Sequence, residues 1–396
     1  MRPPAERVFT GNVAVLSVTT AANIAAQMVW YPILPLVYRR LGASDFEVSL
    51  AYGLLAVVVA AFQVAGGALS DRLGRKPLIA WPTFVAAAAV AAAGFAPSWP
   101  LLTFCLAAMN VCTALQVPSF VALIAESCGE GREGRAFALL ELFASLGVGL
   151  GPALGALVLP VVPAWGLFVL SGAVYAVSGT ARLLGLRETA RPPAAGAAPA
   201  HSLAGPGPAA FLRGRLGRLT LTAVAVTAVS NLSVYGPFIP LLAHDRIGLD
   251  ARHIDILYMV GPLVSAACGL AMGRLVDRRG PGPALAVGAL AAGAALLALV
   301  WSHSFWPALV LVSVAAAAVQ LVYVAYDALR ASAAPPEHRG RVVGVLGMLG
   351  GLAGAGVLPV AGRLASAGGP GAGVALAAAF CVLAAVTGLR AGRDRP

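Results

Sequence analysis

Two carboxylic acids, Glu141 and Asp327, fall inside long apolar runs of this 396-residue chain. A carboxylate in such a run is costly to keep and can bind and release a proton, so each is a candidate proton-coupling group. Each also has an ordinary structural use. Asp327 lies three residues before Arg330, a spacing that sets the pair on one helical face, and Glu141 is within reach of a loop arginine such as Arg135.

Uncharged polar and aromatic residues form a second set. Asn23, Gln27 and Trp30 follow one another at i, i+4 and i+7, hence on one face of a helix. Asn110, Thr113 and Gln116 occupy another run, Asn231 and Tyr235 a third, and Gln320 and Tyr323 a fourth, beside Asp327. Amides and aromatics without fixed charge suit an amphipathic or largely apolar small molecule better than a phosphate or sulfate. The same groups also serve as hydrogen bonds between helices.

Other chemistries lack their residues. The histidines, His201, His244, His253, His303 and His338, sit in loops or at the ends of apolar runs, and no H-E-x-x-H grouping occurs. An enzyme, a metal site or a cofactor is therefore not expected. No G-x-x-x-x-G-K-[ST] loop occurs either, so ATP is not expected to act directly. Of the cysteines Cys105, Cys112, Cys128, Cys268 and Cys381, four lie in apolar runs, where they pack as small hydrophobes. Their spacing suggests neither a metal site nor a disulfide framework.

The elements that hold these residues are set by composition. Hydrophobic residues make up 59% of the chain and charged ones 11%, with a mean hydropathy of +0.86. A soluble surface needs more charge than that. Apolar runs long enough to cross roughly 30 Å of hydrocarbon recur throughout, so the partner solvent is a lipid bilayer. The pattern predicts twelve spans, at about 11–38, 47–69, 77–96, 99–125, 136–160, 163–186, 216–243, 253–276, 283–302, 304–329, 342–366 and 370–390. The first is too long for the apolar core of a signal peptide. Residues 187–217, rich in Ala, Pro and Gly, read as a flexible cytoplasmic linker between halves at 1–186 and 218–396.

The net charge of +11 does not mark a nucleic-acid binder, because the basic residues lie in short segments between apolar spans. It marks topology. With both termini cytoplasmic, all basic residues but Arg39, Arg40, Arg246, Arg252 and Arg363 fall on the inner side of a cell (inner or plasma) membrane, Arg182 among the inner ones.

Charged residues, glycines and prolines also repeat. Gly67, Asp71, Arg72 and Gly74 recur as Gly273, Asp277, Arg278 and Gly280, and Gly134 with Arg135 recurs as Gly340 with Arg341. Gly42 recurs as Gly248, and Pro32 and Pro35 as Pro237 and Pro240. The offset is 206 residues, or 205 for the prolines. Six spans per half returns the chain to the same side, which makes this a parallel repeat.

The segment GALSDRLGRK, Gly67 to Lys76, resembles the signature loop of the major facilitator superfamily at every defined position. The resemblance implies an all-α membrane fold of twelve helices in two pseudo-symmetric six-helix bundles. Substrate would be held near the midplane between the halves, and Gly67, Asp71, Arg72, Gly74, Arg75 and Lys76 would act as a conformational latch. In that loop Asp71 is suited to the N-terminal end of a helix from the other half. A second copy at Gly273, Asp277 and Arg278 lacks the final Arg-Lys pair.

GVGLGPALGA, Gly147 to Ala156, resembles the fifth-helix motif of antiporters in the family, with Gly147, Gly151 and Gly155 on one face and Pro152 favouring a bend. YPILP followed by LGAS in the first span resembles drug-efflux members. Such members often carry an acid in helix 1 and an arginine in helix 4; Asn23, Gln27 and Leu106 stand at the corresponding places here. The resemblance implies a secondary transporter exporting a small amphipathic organic compound, with protons as the coupling ion. Uptake by symport or uniport is the alternative that the missing helix 1 acid leaves open.

Overall fold

The structure is a computed structural model that describes residues 11–128, 133–189, 214–331 and 339–393. These residues form fourteen helices and, among the described residues, no strand. The first seven are α1 Gly11–Met28, α2 Leu34–Arg40, α3 Asp45–Leu73, α4 Arg75–Ala93, α5 Trp99–Ser127, α6 Glu133–Val158 and α7 Ala164–Gly185. The second seven are α8 Gly214–Leu232, α9 Phe238–Asp245, α10 Ala251–Arg279, α11 Pro281–Val300, α12 Phe305–Ala331, α13 Arg339–Gly368 and α14 Pro370–Arg393. Most of the expected linker, together with Arg2, Arg7, Arg132, His201 and His338, lies outside the described residues.

Nine of the described helices are long and apolar enough to cross a membrane. Twelve spans are compatible with them, because the first and seventh expected spans are each broken in two and the eighth, α10, is long enough only as a bent pair, Ala251–Gly269 with Ala271–Arg279. Helix α1 stops at Met28 and α2 starts at Leu34; α8 stops at Leu232 and α9 starts at Phe238. Pro32 in one break and Pro237 in the other lack the amide hydrogen an unbroken helix needs, and Pro35 and Pro240 stand in the first turn of the helices that follow. The break also corrects one geometric expectation. Trp30 falls in the turn after α1, so it does not extend the helical face of Asn23 and Gln27.

The repeat seen in the sequence returns as matching backbone features. Gly42 and Gly248 have φ of 86° and 76°, and Gly74 and Gly280 have φ of 90° and 82°, each pair 206 residues apart. These are left-handed conformations that close a tight turn at little cost only for glycine. The helix caps keep the same register. Ser44 begins α3 with a capping box, its backbone N–H donating to Glu47 Oε2 at 2.8 Å. At the matching place Asp250 begins α10, its carboxylate accepting from the His253 backbone N–H at 2.9 Å.

Packing divides the chain into two units, Met1–Gly42 with Val58–Ala194, and Ala43–Val57 with Ala195–Pro396. Helix α3 thus contributes to both. In the first unit α1 packs on α6 and α7, and α4 packs on α5 and α7. In the second, α8 packs on α13 and α14, α11 on α12 and α14, and α10 on α12. The start of α3 joins the second unit through small residues. A Cβ on Gly362 would lie 2.6 Å from Ser49 Cβ, and one on Gly53 would lie 3.0 Å from the Ala355 carbonyl oxygen.

Candidate functional site

The glycine motif of α6 is built for backbone approach. A Cβ on Gly147 would lie 2.6 Å from the Ala21 carbonyl oxygen, and one on Gly151 would lie 2.6 Å from that of Ala25 while overlapping Met28 Cβ. Only hydrogen fits at both places, so α6 and α1 lie backbone to backbone. Gly155 and Pro152 are buried in the same helix. The second unit repeats the device on α13. There a Cβ on Gly350 would lie 3.1 Å from the Ala223 carbonyl oxygen, and one on Gly354 would lie 2.7 Å from Thr227 Cγ2, both on α8. The four-residue glycine spacing was available in the sequence as a signal for this second seam.

One polar candidate of the first unit, Gln116, bonds a basic residue that the charge bias assigns to the inner side, Arg182. Arg182 lies inside α7, within the sixth expected span, and is 2% exposed. Its Nε donates to Thr19 Oγ1 at 3.0 Å, and its Nη1 donates to Thr83 Oγ1 and Gln116 Oε1, both at 2.8 Å. The guanidinium also sits 5.0 Å from the centre of the Phe120 ring. Among the described residues no carboxylate pairs with Arg182; its partners are neutral oxygens from α1, α4 and α5.

Gln116 is thereby committed, since its Nε2 also donates to the Cys112 carbonyl oxygen at 3.0 Å and its side chain is buried. Trp30 is 1% exposed and stacks on Phe168 with centroids 4.9 Å apart. Asn23 is buried, whereas Gln27, Asn110 and Thr113 are half-buried, and the Thr113 hydroxyl donates to the Asn110 carbonyl oxygen at 3.1 Å. The signal for Arg182 was its place in the apolar run SGTARLLGL, inside the sixth expected span.

In the second unit α8 and α12 bring several candidates together. The Tyr323 hydroxyl lies near Ser230, with Tyr235 and Asp327 close by. Asn231 reaches the Gly354 seam, its Nδ2 lying 3.2 Å from where a Cβ would stand. Tyr235 and Gln320 are exposed. Asp327 accepts from Arg330 Nη2 at 2.7 Å, its side chain 54% exposed, and Arg330 lies over the Tyr326 ring. Glu141 is exposed on α6 and so is Arg135.

The signature loop is held within the first unit by residues that motif reading did not name. Glu188, after α7, accepts the backbone N–H groups of Arg75 at 3.1 Å and Lys76 at 2.9 Å. A carboxylate at the start of α4 meets the positive end of that helix. The Arg75 guanidinium donates to Ser70 Oγ at 2.8 Å and to Glu126 Oε1 at 3.3 Å, and Thr189 bonds the other oxygen of Glu126. The side chains of Gly67 and Asp71 lie outside the described ones; Arg72, Asp277 and Arg278 are exposed and Gly273 is half-buried. Sequence alone placed Glu188 in the linker, because only the folded chain brings it beside residue 75.

One acid escaped the sequence reading altogether. Asp255, on α10, is fully buried, and neither carboxylate oxygen has a hydrogen-bond partner. It lies within the eighth expected span, two residues after His253. No group of three or more His, Cys, Asp or Glu able to hold a metal occurs among the described residues.

Comparison with known proteins places these features in context. The family model of the Major Facilitator Superfamily matches residues 16–260 and 221–396. The Multidrug resistance protein MdtH of Salmonella choleraesuis (strain SC-B67) is 30% identical over 137 residues, covering 34% of each chain. The Multidrug resistance protein MdtL of Klebsiella pneumoniae (strain 342) is 26% identical over 238 residues, 59% of this chain and 58% of its own. The chain thus spans about a third of the length of MdtH and under two thirds of MdtL. Among solved structures, a bacterial homolog of the human lysosomal transporter Spinster, inward-facing and occupied, superposes with a TM-score of 0.77 at 17% identity, over 97% of this chain and 96% of that one. The nucleoside transporter NupG superposes with a TM-score of 0.78 at 11% identity, over 98% and 100%. These two likenesses are of fold.

Proposed function

Because the chain belongs to the Major Facilitator Superfamily, we propose that it is a multi-pass membrane transporter rather than an enzyme, and that it exports a small amphipathic organic compound by alternating access in exchange for protons. The observation that carries the export reading is the glycine–proline segment of α6, whose Gly147 and Gly151 sit against the backbone of α1. The names of the MdtH and MdtL relatives support the same direction. The uncharged character of Asn231, Tyr235 and Tyr323 supports an amphipathic cargo over a strongly anionic one.

The Lys/Arg bias supports a cell-membrane location with both termini cytoplasmic. The halves at 1–186 and 218–396 are the two transporting bundles, and the loop from Gly67 to Lys76 is the latch. Its hold on Glu188 and Glu126 is what has to give when the latch opens. Neither nucleic acid nor ATP takes part.

Growth of a drug-sensitive host in a panel of inhibitory compounds, with and without expression of the chain, tests the direction. Tolerance that rises with expression supports export; sensitivity that rises points to uptake. A compound found this way then serves as the flux probe in proteoliposomes. Uptake by symport or uniport is the second reading, favoured by one observation: Asn23 and Gln27 occupy the first span where an acid is often found in efflux members. Flux unaffected by an imposed pH gradient would favour the uniport form.

A further inference from the structure

Asp255 is the one acidic side chain among the described residues that is wholly buried. It sits one turn into α10, past the Asp250 cap, and both of its oxygens lie without a hydrogen-bond donor. An ionised carboxylate without a donor or a cation is among the most expensive groups to bury, and the neutral acid is the form such surroundings accept. Such a group is functional by default inside a membrane protein.

Among the described residues, the helices packed on α10 bring no charge that would hold Asp255 ionised. Helix α10 packs on α12, α11 and α9. Helix α11 carries no titratable side chain between Pro281 and Val300. Helix α12 carries none from Phe305 until Tyr323, followed by Tyr326, Asp327 and Arg330 at its far end. On α9 the titratable groups are His244 and Asp245, both exposed, with His244 Nδ1 held against the Leu249 carbonyl oxygen at 3.0 Å. On α10 itself Arg252 and His253 are exposed, and the His253 ring is engaged by Asp250 at 2.7 Å and by the edge of Phe305. Tyr258 lies three residues on, and Arg274, Asp277, Arg278 and Arg279 are at the opposite end of the helix.

The repeat adds an independent observation. In the register of 206 residues set by Gly42 with Gly248 and Gly74 with Gly280, the counterpart of Asp255 is Ser49. Ser49 is equally buried, but its hydroxyl donates to the Asp45 carbonyl oxygen at 2.8 Å. The first repeat fills this buried place with a group that satisfies itself. The second fills it with one that cannot unless it carries a proton.

We propose that Asp255 is a proton-binding site, the carboxyl that takes up and releases the coupling proton as the transporter cycles. The step is a simple protonation: the carboxylate oxygen gains a proton from water on one side of the membrane and returns it to water on the other. Asp327 differs, because Arg330 already neutralises it. The proton site stands on the buried acid; its coupling role rests on the proton-exchange reading above.

Infrared difference spectra of the purified full chain, recorded across a pH titration in light and heavy water, test the site without any cargo. At neutral pH, where an ordinary exposed carboxyl is ionised, the wild type and Asp327→Asn are expected to show the carbonyl stretch of a protonated carboxylic acid, and Asp255→Asn to lose it. Asparagine matches the neutral acid in shape, so the variant is expected to fold; Asp255→Glu, which restores a carboxyl, should restore the band. A band that persists in Asp255→Asn overturns the site. In proteoliposomes with an imposed pH gradient and the probe from the growth panel, Asp255→Asn is expected to lower gradient-driven flux at least tenfold. Flux equal to wild type overturns the coupling role. Loss of the band together with a wild type that moves no panel compound under any gradient retains the site and overturns the export reading instead.

Discussion

At the scale of single residues, Arg182 and Asp255 pose opposite problems. Arg182 is a buried cation answered by three neutral oxygens from three other helices. Each of those oxygens is itself fixed: Thr19 and Thr83 donate to carbonyls of their own helices, and Gln116 donates to Cys112. The arginine therefore ties α1, α4, α5 and α7 together at one point. Truncation leaves a cavity and removes the bonds to Thr19, Thr83 and Gln116, so Arg182→Ala should cost roughly 3 kcal/mol. Arg182→Lys keeps the charge and some of the donors and should cost less. Thermal midpoints in detergent check the order; equal values for wild type and Arg182→Ala would show that the network carries no stability. Asp255 has no such answer, which is why it is assigned a proton rather than a partner.

At the scale of elements, the helices meet through glycine in some places and leave glycine idle in others. Gly151 on α6 has the α1 backbone where a methyl group would stand, whereas around Gly347 on α13 nothing lies within 4 Å. Gly151→Ala should therefore destabilise by about 1–3 kcal/mol through overpacking. Gly347→Ala should be neutral or stabilise by up to about 1 kcal/mol, because alanine is the better helix residue. Midpoints of the two variants, measured side by side, separate close packing from helix propensity; similar losses at both would contradict the backbone-contact account.

At the scale of the whole molecule, orientation is the property most open to a direct check. Once the five native cysteines are replaced, a single cysteine at exposed His303 should react with a membrane-impermeant maleimide in intact cells. One at exposed Arg279 should react only after permeabilisation. The reverse pattern would invert the assigned topology.

Much of this architecture was legible before any coordinates. Apolar runs place helices within a few residues because length and hydropathy are local properties, and Ser44–Asp250 and Gly74–Gly280 show that caps and turn glycines are local as well. The repeat could be read from glycines, prolines and charges for the same reason. What the chain could not reveal along its length was which polar residues meet. Arg182 reads as one more inner-side charge until α1, α4 and α5 supply its acceptors, and Glu188 reads as linker until the fold brings it to the start of α4. The Asp327–Arg330 pair was legible, because its partners are three residues apart, whereas nothing along the chain marks Asp255 as wholly buried until neighbouring helices pack on it. Helix formation depends on neighbours a few residues away. The cost of a buried charge depends on neighbours a hundred residues away, and only tertiary packing decides which of them arrive.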